Sequence, residues 1–321
     1  MSTILITGST GFVGRSLCAR LLAEGRDIRC AVREPSSLAN SVVVGDIGPE
    51  ADWELALNGV DTVIHLAARV HIMKDDSNDP LAAFRRINVA GTLNLARQAA
   101  AAGVKRLIFL STVKVNGEET VSGHSFSEED TPHPQDPYGI SKYEAELGLR
   151  HLAEETGLEV VIIRPPLVYG PGVKGNFAGM MRWIGKGIPL PLGAIHNQRS
   201  LVALDNLVDF IITCIDHPAA VNQTFLVADG EDLSTTELLR RVGLAMGKPA
   251  RLIPVPVGLL KFGAALLGKQ AVAKRLCGNL QVDISKARGL LGWKPVVSVD
   301  DALKKATANL AHAKPQSRKE R

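Results

Sequence analysis

The stretch HPQDPYGISKYEAE, residues 133–146, sets Tyr138 and Lys142 four residues apart just after a run of prolines. Residues at i and i+4 share one helical face about one turn apart, so a helix starting here carries a phenol and an ammonium side by side. A phenol of pKa about 10 is a poor acid–base catalyst at neutral pH unless its anion is stabilised. An ammonium one turn away supplies part of that stabilisation. Earlier in the chain, RLIFLST ends on Ser111 and Thr112. If that run is a parallel strand, both stand at the carboxyl edge of the sheet, where open α/β folds bind ligands. Thr112 is then placed to hydrogen-bond a substrate hydroxyl or carbonyl beside the tyrosine. Alone, a Tyr/Lys pair reads as the surface of an amphipathic helix. With Ser111, Thr112 and Asn88 of INVAGT it reads as a site for proton transfer at an oxygen.

The elements that must position these groups follow from hydrophobic patterning. The runs ILIT, IRCAV, SVVVGD, TVIHLA, RLIFLST and VVIIRP alternate with amphipathic or Ala-rich stretches. That predicts the α/β class with a doubly wound parallel Rossmann sheet, its strands apolar throughout because helices cover both faces. After Pro165, glycine and proline crowd PPLVYGPGVKGN and GKGIPLPLG before one more strand-like run, TFLVAD, at 224–229. Residues 1–165 with 201–229 are expected to form the dinucleotide-binding domain. Residues 166–200 with 230–312 are expected to form a smaller, discontinuous C-terminal substrate lobe, and 313–321 a solvated, frayed tail.

The segment ILITGSTGFVGRSL is a buried strand, a turn with Gly8, Gly11 and Gly14, and the start of a helix. Glycines let a backbone approach a pyrophosphate, whose charge is met by free N–H groups at the helix N-terminus. This predicts a bound dinucleotide, and an oxidised nicotinamide would add a second positive charge beside Tyr138. The second strand ends IRCAVRE, where an NAD-preferring fold places an acidic residue for the ribose 2′-hydroxyl. Here stand Val32 and Arg33. An arginine cannot accept from that hydroxyl but can pair with a 2′-phosphate, so NADP(H) is favoured over NAD(H). Asp46 and Ile47, just past the third strand, suit the adenine edge and face.

Composition sets the remaining bounds. The chain has 321 residues, 45% hydrophobic, with a net charge of +4 spread along its length, which gives no nucleic-acid footprint. The cysteines Cys18, Cys30, Cys214 and Cys277 lack metal-site spacing, so reduced thiols, no metal and a cytoplasmic location are expected. No apolar run approaches the length of a bilayer span. The greasiest stretch, IPVPVGLLKFGAALLG at 253–268, is interrupted by Pro254, Pro256 and Lys261. It reads as a helix packed against the body of the protein, with no membrane insertion.

The ordered set TGSTGFVG, GDI, DTVIHLAA, NVAGT, LST, YGISK and RPPLVYGPG resembles the extended short-chain dehydrogenase/reductases, and more narrowly their nucleotide-sugar epimerase/dehydratase branch. The likeness covers nearly all of residues 1–310. It implies Tyr138 as proton donor or acceptor, Lys142 on the nicotinamide ribose and Thr112 orienting the reacting oxygen. It also implies cofactor contacts from Thr10, Phe12, Val13, Leu66, Ala67, Ala68, Asn88, Ser111 and Pro165. Asn176, Arg199 and Arg275 fall where relatives hold the sugar diphosphate, and bidentate arginine suits those oxygens. DISKARGLLGWKP is similar to the family's C-terminal signature, with Trp293 there for packing. Relatives often dimerise through two helices flanking the sheet, here including 138–156.

Within that branch, dehydratases carry an Asp-Glu pair after the catalytic hydroxyl residue; Val113 and Lys114 stand there instead. Glu118 and Glu119 lie nearby, but their loop gives no reason to aim them inward. The expected activity is NAD(P)H-dependent reduction of a UDP-4-keto-6-deoxy-N-acetylhexosamine in surface polysaccharide synthesis, with Tyr138 protonating the forming alkoxide. The alternative is a UDP-hexose or UDP-N-acetylhexosamine 4-epimerase with tightly bound NAD, and a remote one is a non-enzymatic NADP-sensing regulator. His71, Thr112, Val113, Asn116, Gln135 and Trp183 are the candidate lining of the sugar pocket.

Overall fold

The computed structural model describes residues 2–36, 38, 40–70 and 79–311. His71 and the tail 313–321 lie outside the described residues. Nine strands and twelve α-helices are described. The strands β1 (Thr3–Thr7), β2 (Asp27–Val32), β3 (Ser41–Val43), β4 (Val60–His65), β5 (Arg106–Leu110), β6 (Glu159–Arg164) and β9 (Thr224–Leu226) form one sheet in the order β3-β2-β1-β4-β5-β6-β9. Every pairing is parallel. The order reverses between β1 and β4, which opens a ligand crevice at their carboxyl ends. Of the run 224–229, only the first three residues form the strand.

Helices cover both faces, which is why these strands carry no polar alternation. On one face α1 (Phe12–Ala23), α7 (Leu204–Asp216) and α11 (Ser285–Leu291) bury Leu17, Leu21, Phe210, Ile211 and Leu291 against Ile4, Ile6 and Ile108. Trp293 joins that core, its indole N–H donating to Asp209 at 2.9 Å. On the other face α2 (Glu54–Leu57), α4 (Thr92–Ala101) and α5 (Pro137–Thr156) bury Leu57, Leu95, Ala99, Leu149 and Leu152 against Leu5, Val63 and Leu107. Each such aliphatic side chain stabilises the fold by about 1.5–3 kcal/mol on full burial.

Beyond the sheet, β7 (Leu167–Tyr169) pairs in parallel with β8 (Leu201–Ala203). A third core joins Tyr169 to α6 (Gly175–Gly185), α8 (Thr235–Ala245) and α12 (Val299–Ala311) through Phe177, Met181, Leu239, Val242 and Leu303. These elements, with α9 (Val257–Leu266) and α10 (Gln270–Cys277), build the smaller C-terminal lobe.

The expectation that 253–268 forms a helix packed against the body of the protein holds for one side of α9 only. No residue of α9 is buried; only Val257 and Leu260 lean, half-covered, on the third core. An apolar run predicts a helix that wants cover, and here the fold leaves one side of it without cover among the described residues.

Candidate active site

Two local features fix α5. Pro137 occupies its first turn, and the Asp136 carboxylate accepts the Gly139 N–H at 2.7 Å as the N-cap, the combination that nucleates a helix at a defined residue. Gly139 cannot be larger without strain, because a Cβ would lie 3.1 Å from the Lys114 carbonyl oxygen. The helix therefore starts tight against the loop after β5, with Tyr138 in its first turn.

Tyr138 is partly exposed, its ring edge-on to Phe84 of α3 (Pro80–Phe84) at 6.1 Å. The surrounding protein pushes the phenol above its ordinary value, and the Asp136 carboxylate adds to that. A phenolate here therefore needs positive charge brought to it. Lys142 is 2% exposed, its ammonium 4.0 Å from the centroid of Phe109 on β5. Burial pushes it down to about 7, against the opposing pull of the Glu146 carboxylate.

Glu146 is the organising group that the sequence reading missed. Fully buried, it accepts from Ser111 Oγ at 2.5 Å and from Arg164 Nε at 3.0 Å and Nη2 at 2.5 Å, with Arg150 Nη2 at 3.3 Å. Arg164 spends its other arm on Asn116 Oδ1 at 3.0 Å. Ser111 is thus anchored through Glu146. Asn116, 2% exposed, and Val113, 4% exposed, are structural and not pocket lining, which corrects the expectation for both. The available signal was the spacing: Glu146 follows Lys142 by four residues, on the face that already carries Tyr138.

Thr112 leaves β5 with extended backbone, and its Oγ1 accepts the Lys114 N–H at 3.3 Å. Its hydroxyl hydrogen is left to donate. Lys114 is itself ion-paired with Asp136 and lies 3.9 Å from Glu118. An acid–base pair for water elimination is therefore not assembled after Thr112.

The dinucleotide end is equally specific. Gly8 has φ +68°, and a Cβ on it would meet the Ala67 nitrogen at 2.8 Å; one on Gly14 would lie 2.1 Å from the Gly8 carbonyl oxygen. Only glycine permits this closure. Thr10 and Gly11 stand exposed at the turn, and Phe12 and Val13 open α1, half-covered by the core. The first turn of α1 has no side-chain cap and no acidic residue, so its N–H groups suit a pyrophosphate. The residues present fit a nicotinamide dinucleotide.

Leu66, Ala67 and Ala68 follow β4 and are held from both sides. Thr7 Oγ1 accepts the Ala67 N–H at 3.2 Å, and Asn88 brackets Arg69, accepting its N–H at 2.8 Å and donating to its carbonyl at 3.0 Å. Asn88 also donates to Ser141 Oγ at 3.0 Å, tying the loop to α5. It sits in a π-helical segment, Arg85–Gly91, that interrupts the α3–α4 helix; such bulges re-aim side chains at functional sites. His65, also unforeseen, is buried between Thr7 and Thr92 hydroxyls at 2.7 and 3.0 Å. Burial, with the Lys142 charge, pushes it down to about 3, so it is neutral at physiological pH. Pro165 closes the far side, its carbonyl accepting the Val113 N–H at 3.0 Å.

At the end of β2, Arg33 Nε lies 2.7 Å from Asp46, with side chains 74% and 80% exposed. The two residues assigned to separate tasks are brought together. Ile47 packs against Gly91, where a Cβ would be 3.0 Å from its Cγ2.

The remaining candidates divide. Arg199 is largely covered and donates to the Gly278 carbonyl at 3.0 Å. Burial lowers its guanidinium and the charge of Glu119 opposes that, while Glu119 itself is exposed. Arg275, in the last turn of α10, is exposed, as are Gln135 and Trp183. Asn176 lies in the first turn of α6, its side chain outside the described atoms.

Fold and site together define an NAD(P)-dependent enzyme of the extended short-chain dehydrogenase/reductase class, with a Rossmann sheet, a glycine turn under a helix and a Tyr/Lys pair at the carboxyl edge. The sequence matches the NAD dependent epimerase/dehydratase family over residues 4–228, and the chain belongs to that family. It is 50% identical over 306 residues to a UDP-glucose 4-epimerase of Vibrio cholerae, covering 94% of this chain and 93% of that one. It is 30% identical over 300 residues to an N-acetyl-alpha-D-glucosaminyl-diphospho-ditrans,octacis-undecaprenol 4-epimerase of Escherichia coli O157:H7, covering 88% of each. A solved UDP-glucose 4-epimerase with UDP-glucose from Thermotoga maritima superposes with a TM-score of 0.75 at 26% identity, covering 96% of this chain and 98% of that one.

Proposed function

We propose that the protein is a UDP-sugar 4-epimerase that retains its dinucleotide through the reaction. The observation that carries this is the 50% identity, over nearly the whole of both chains, to a UDP-glucose 4-epimerase. It favours epimerisation over the reduction expected from the sequence.

The turn at Gly8, Gly11 and Gly14 would hold NAD, which would supply the hydride acceptor and donor needed at carbon 4 of the sugar. Tyr138 Oη takes the proton of the sugar 4-hydroxyl as the ketone forms and returns it when the alcohol is remade. Thr112 donates a hydrogen bond to the same oxygen, where negative charge develops. Lys142 keeps the phenolate within reach of a cation, and Glu146 supports the charge on Lys142. Arg199 is the inner of the two diphosphate candidates and Arg275 the outer.

Retention also bears on cofactor choice, because an epimerase regains what it removed and has no need to exchange a spent nucleotide. The Asp46 carboxylate beside Arg33 neutralises the charge that a 2′-phosphate would seek and repels that phosphate. Purified protein denatured in acid is expected to release NAD. Release of NADP would return Arg33 to a phosphate-binding role.

The test of the reaction is incubation with UDP-glucose and, separately, UDP-N-acetylglucosamine, with sugars separated by chromatography. The C4 epimer is expected without net change in nicotinamide absorbance. Consumption of NADPH by a UDP-4-keto-6-deoxy sugar, with no isomerisation of either UDP-hexose, would make the protein a reductase.

A further inference from the structure

Helix α9 is apolar at every position but Lys261. A helix of that kind is ordinarily enclosed by protein or by lipid, yet none of its residues is buried. Val257 and Leu260 occupy the side that leans on the third core. Leu259, Phe262 and Leu266, spaced three and four residues apart, form a stripe on the other side and are 62%, 64% and 73% exposed. Leu267 extends it at the helix end. Such a stripe on a water-facing surface marks a contact with something apolar.

The charge around it says what. No aspartate or glutamate occurs between Glu159 and Asp205 or between Glu237 and Asp283, the two stretches that contribute α6, α9 and α10. The exposed charges there are all basic, with Lys261 on the face of α9 that also carries Val257, and Lys269 and Lys274 just after the helix. An apolar stripe with basic flanks is complementary to an anionic bilayer surface. At ten residues, α9 extends about 15 Å, about half the hydrocarbon thickness, and no described helix is long and apolar enough to cross a membrane.

We propose that α9 is a docking helix that lies in the headgroup region of an anionic membrane, with Leu259, Phe262, Leu266 and Leu267 in the acyl boundary and Lys261 reaching the phosphates. The long lysine stem allows this, since its methylenes can follow the apolar surface while the ammonium stays in the polar layer.

The test is cosedimentation of the full chain with unilamellar vesicles, either equimolar phosphatidylglycerol and phosphatidylcholine or phosphatidylcholine alone. Wild type is expected to pellet with the anionic vesicles at low salt and to stay in solution with the neutral ones. Phe262→Ser is expected to lower the partition coefficient on the order of tenfold, and Lys261→Gln about fivefold. Both side chains are exposed and outside the catalytic machinery, so epimerase turnover on soluble sugar is expected to be unchanged. Lys261→Glu gives a second reading of charge, one that does not depend on an apolar side chain. Protein that stays in solution with anionic vesicles, or variants that pellet as wild type does, would overturn the proposal. So would a dimer in solution that Phe262→Ser converts to monomer, because the stripe would then be covered by a second copy of the chain.

Discussion

Tyr138→Phe is expected to lower turnover by about 10²- to 10⁴-fold, the range for loss of a positioned general acid–base group, while leaving dinucleotide binding intact. The reason lies in what the substitution keeps. The phenylalanine ring preserves the edge contact with Phe84, the Asp136 cap on Gly139 is untouched, and the glycine turn suited to a pyrophosphate follows β1, away from α5. Only Oη is lost. Thr112 is not a substitute, since a hydroxyl at neutral pH donates far better than it accepts a full proton. Steady-state assay with UDP-glucose gives the rate, and acid release of nucleotide from the same preparation gives occupancy. Full turnover in the variant would remove Tyr138 from the mechanism; loss of nucleotide along with turnover would assign it to binding.

What the sequence made legible was what local spacing dictates. Strand order follows from apolar runs separated by helices, and the glycine turn and the Tyr138/Lys142 face follow from residues within one or two turns of each other. Glu146 and Arg164 were not legible as a pair, because a glutamate in a helix and an arginine ending a strand both read as surface groups until the packing of α5 on β6 buries them. Asn116 and Val113 were misplaced for the converse reason. Their loop returns beneath the site, where Val113 bonds to Pro165 and Asn116 to Arg164. Arg33 and Asp46 are thirteen positions apart, and only the β2–β3 pairing sets them in contact. The exposure of α9 was likewise hidden, since periodicity reports which residues want cover and not whether another element provides it.

Arg164→Met is expected to destabilise the protein by about 3–5 kcal/mol, the usual consequence of stranding one member of a buried ion pair. Glu146 would retain Ser111 and the half-exposed Arg150 at 3.3 Å, too little to replace two direct guanidinium bonds in a fully buried position. Arg164→Met with Glu146→Leu is expected to recover most of that loss, because a well-packed apolar pair of similar volume costs little where an uncompensated charge costs much. Urea denaturation of the two single variants and the double variant gives the coupling energy directly. A single variant as stable as wild type, or a double variant no better than Arg164→Met, would show that the pair does not hold this part of the fold. Activity should not follow stability. Removing Glu146 takes away the carboxylate that raises Lys142 against its burial, so the ammonium would be lost at a lower pH than in wild type. Below the shifted value Lys142 is still charged and can hold the Tyr138 phenolate; above it the charge is gone. The double variant is therefore expected to be restored in stability and still impaired at neutral pH, with its turnover optimum displaced toward acid.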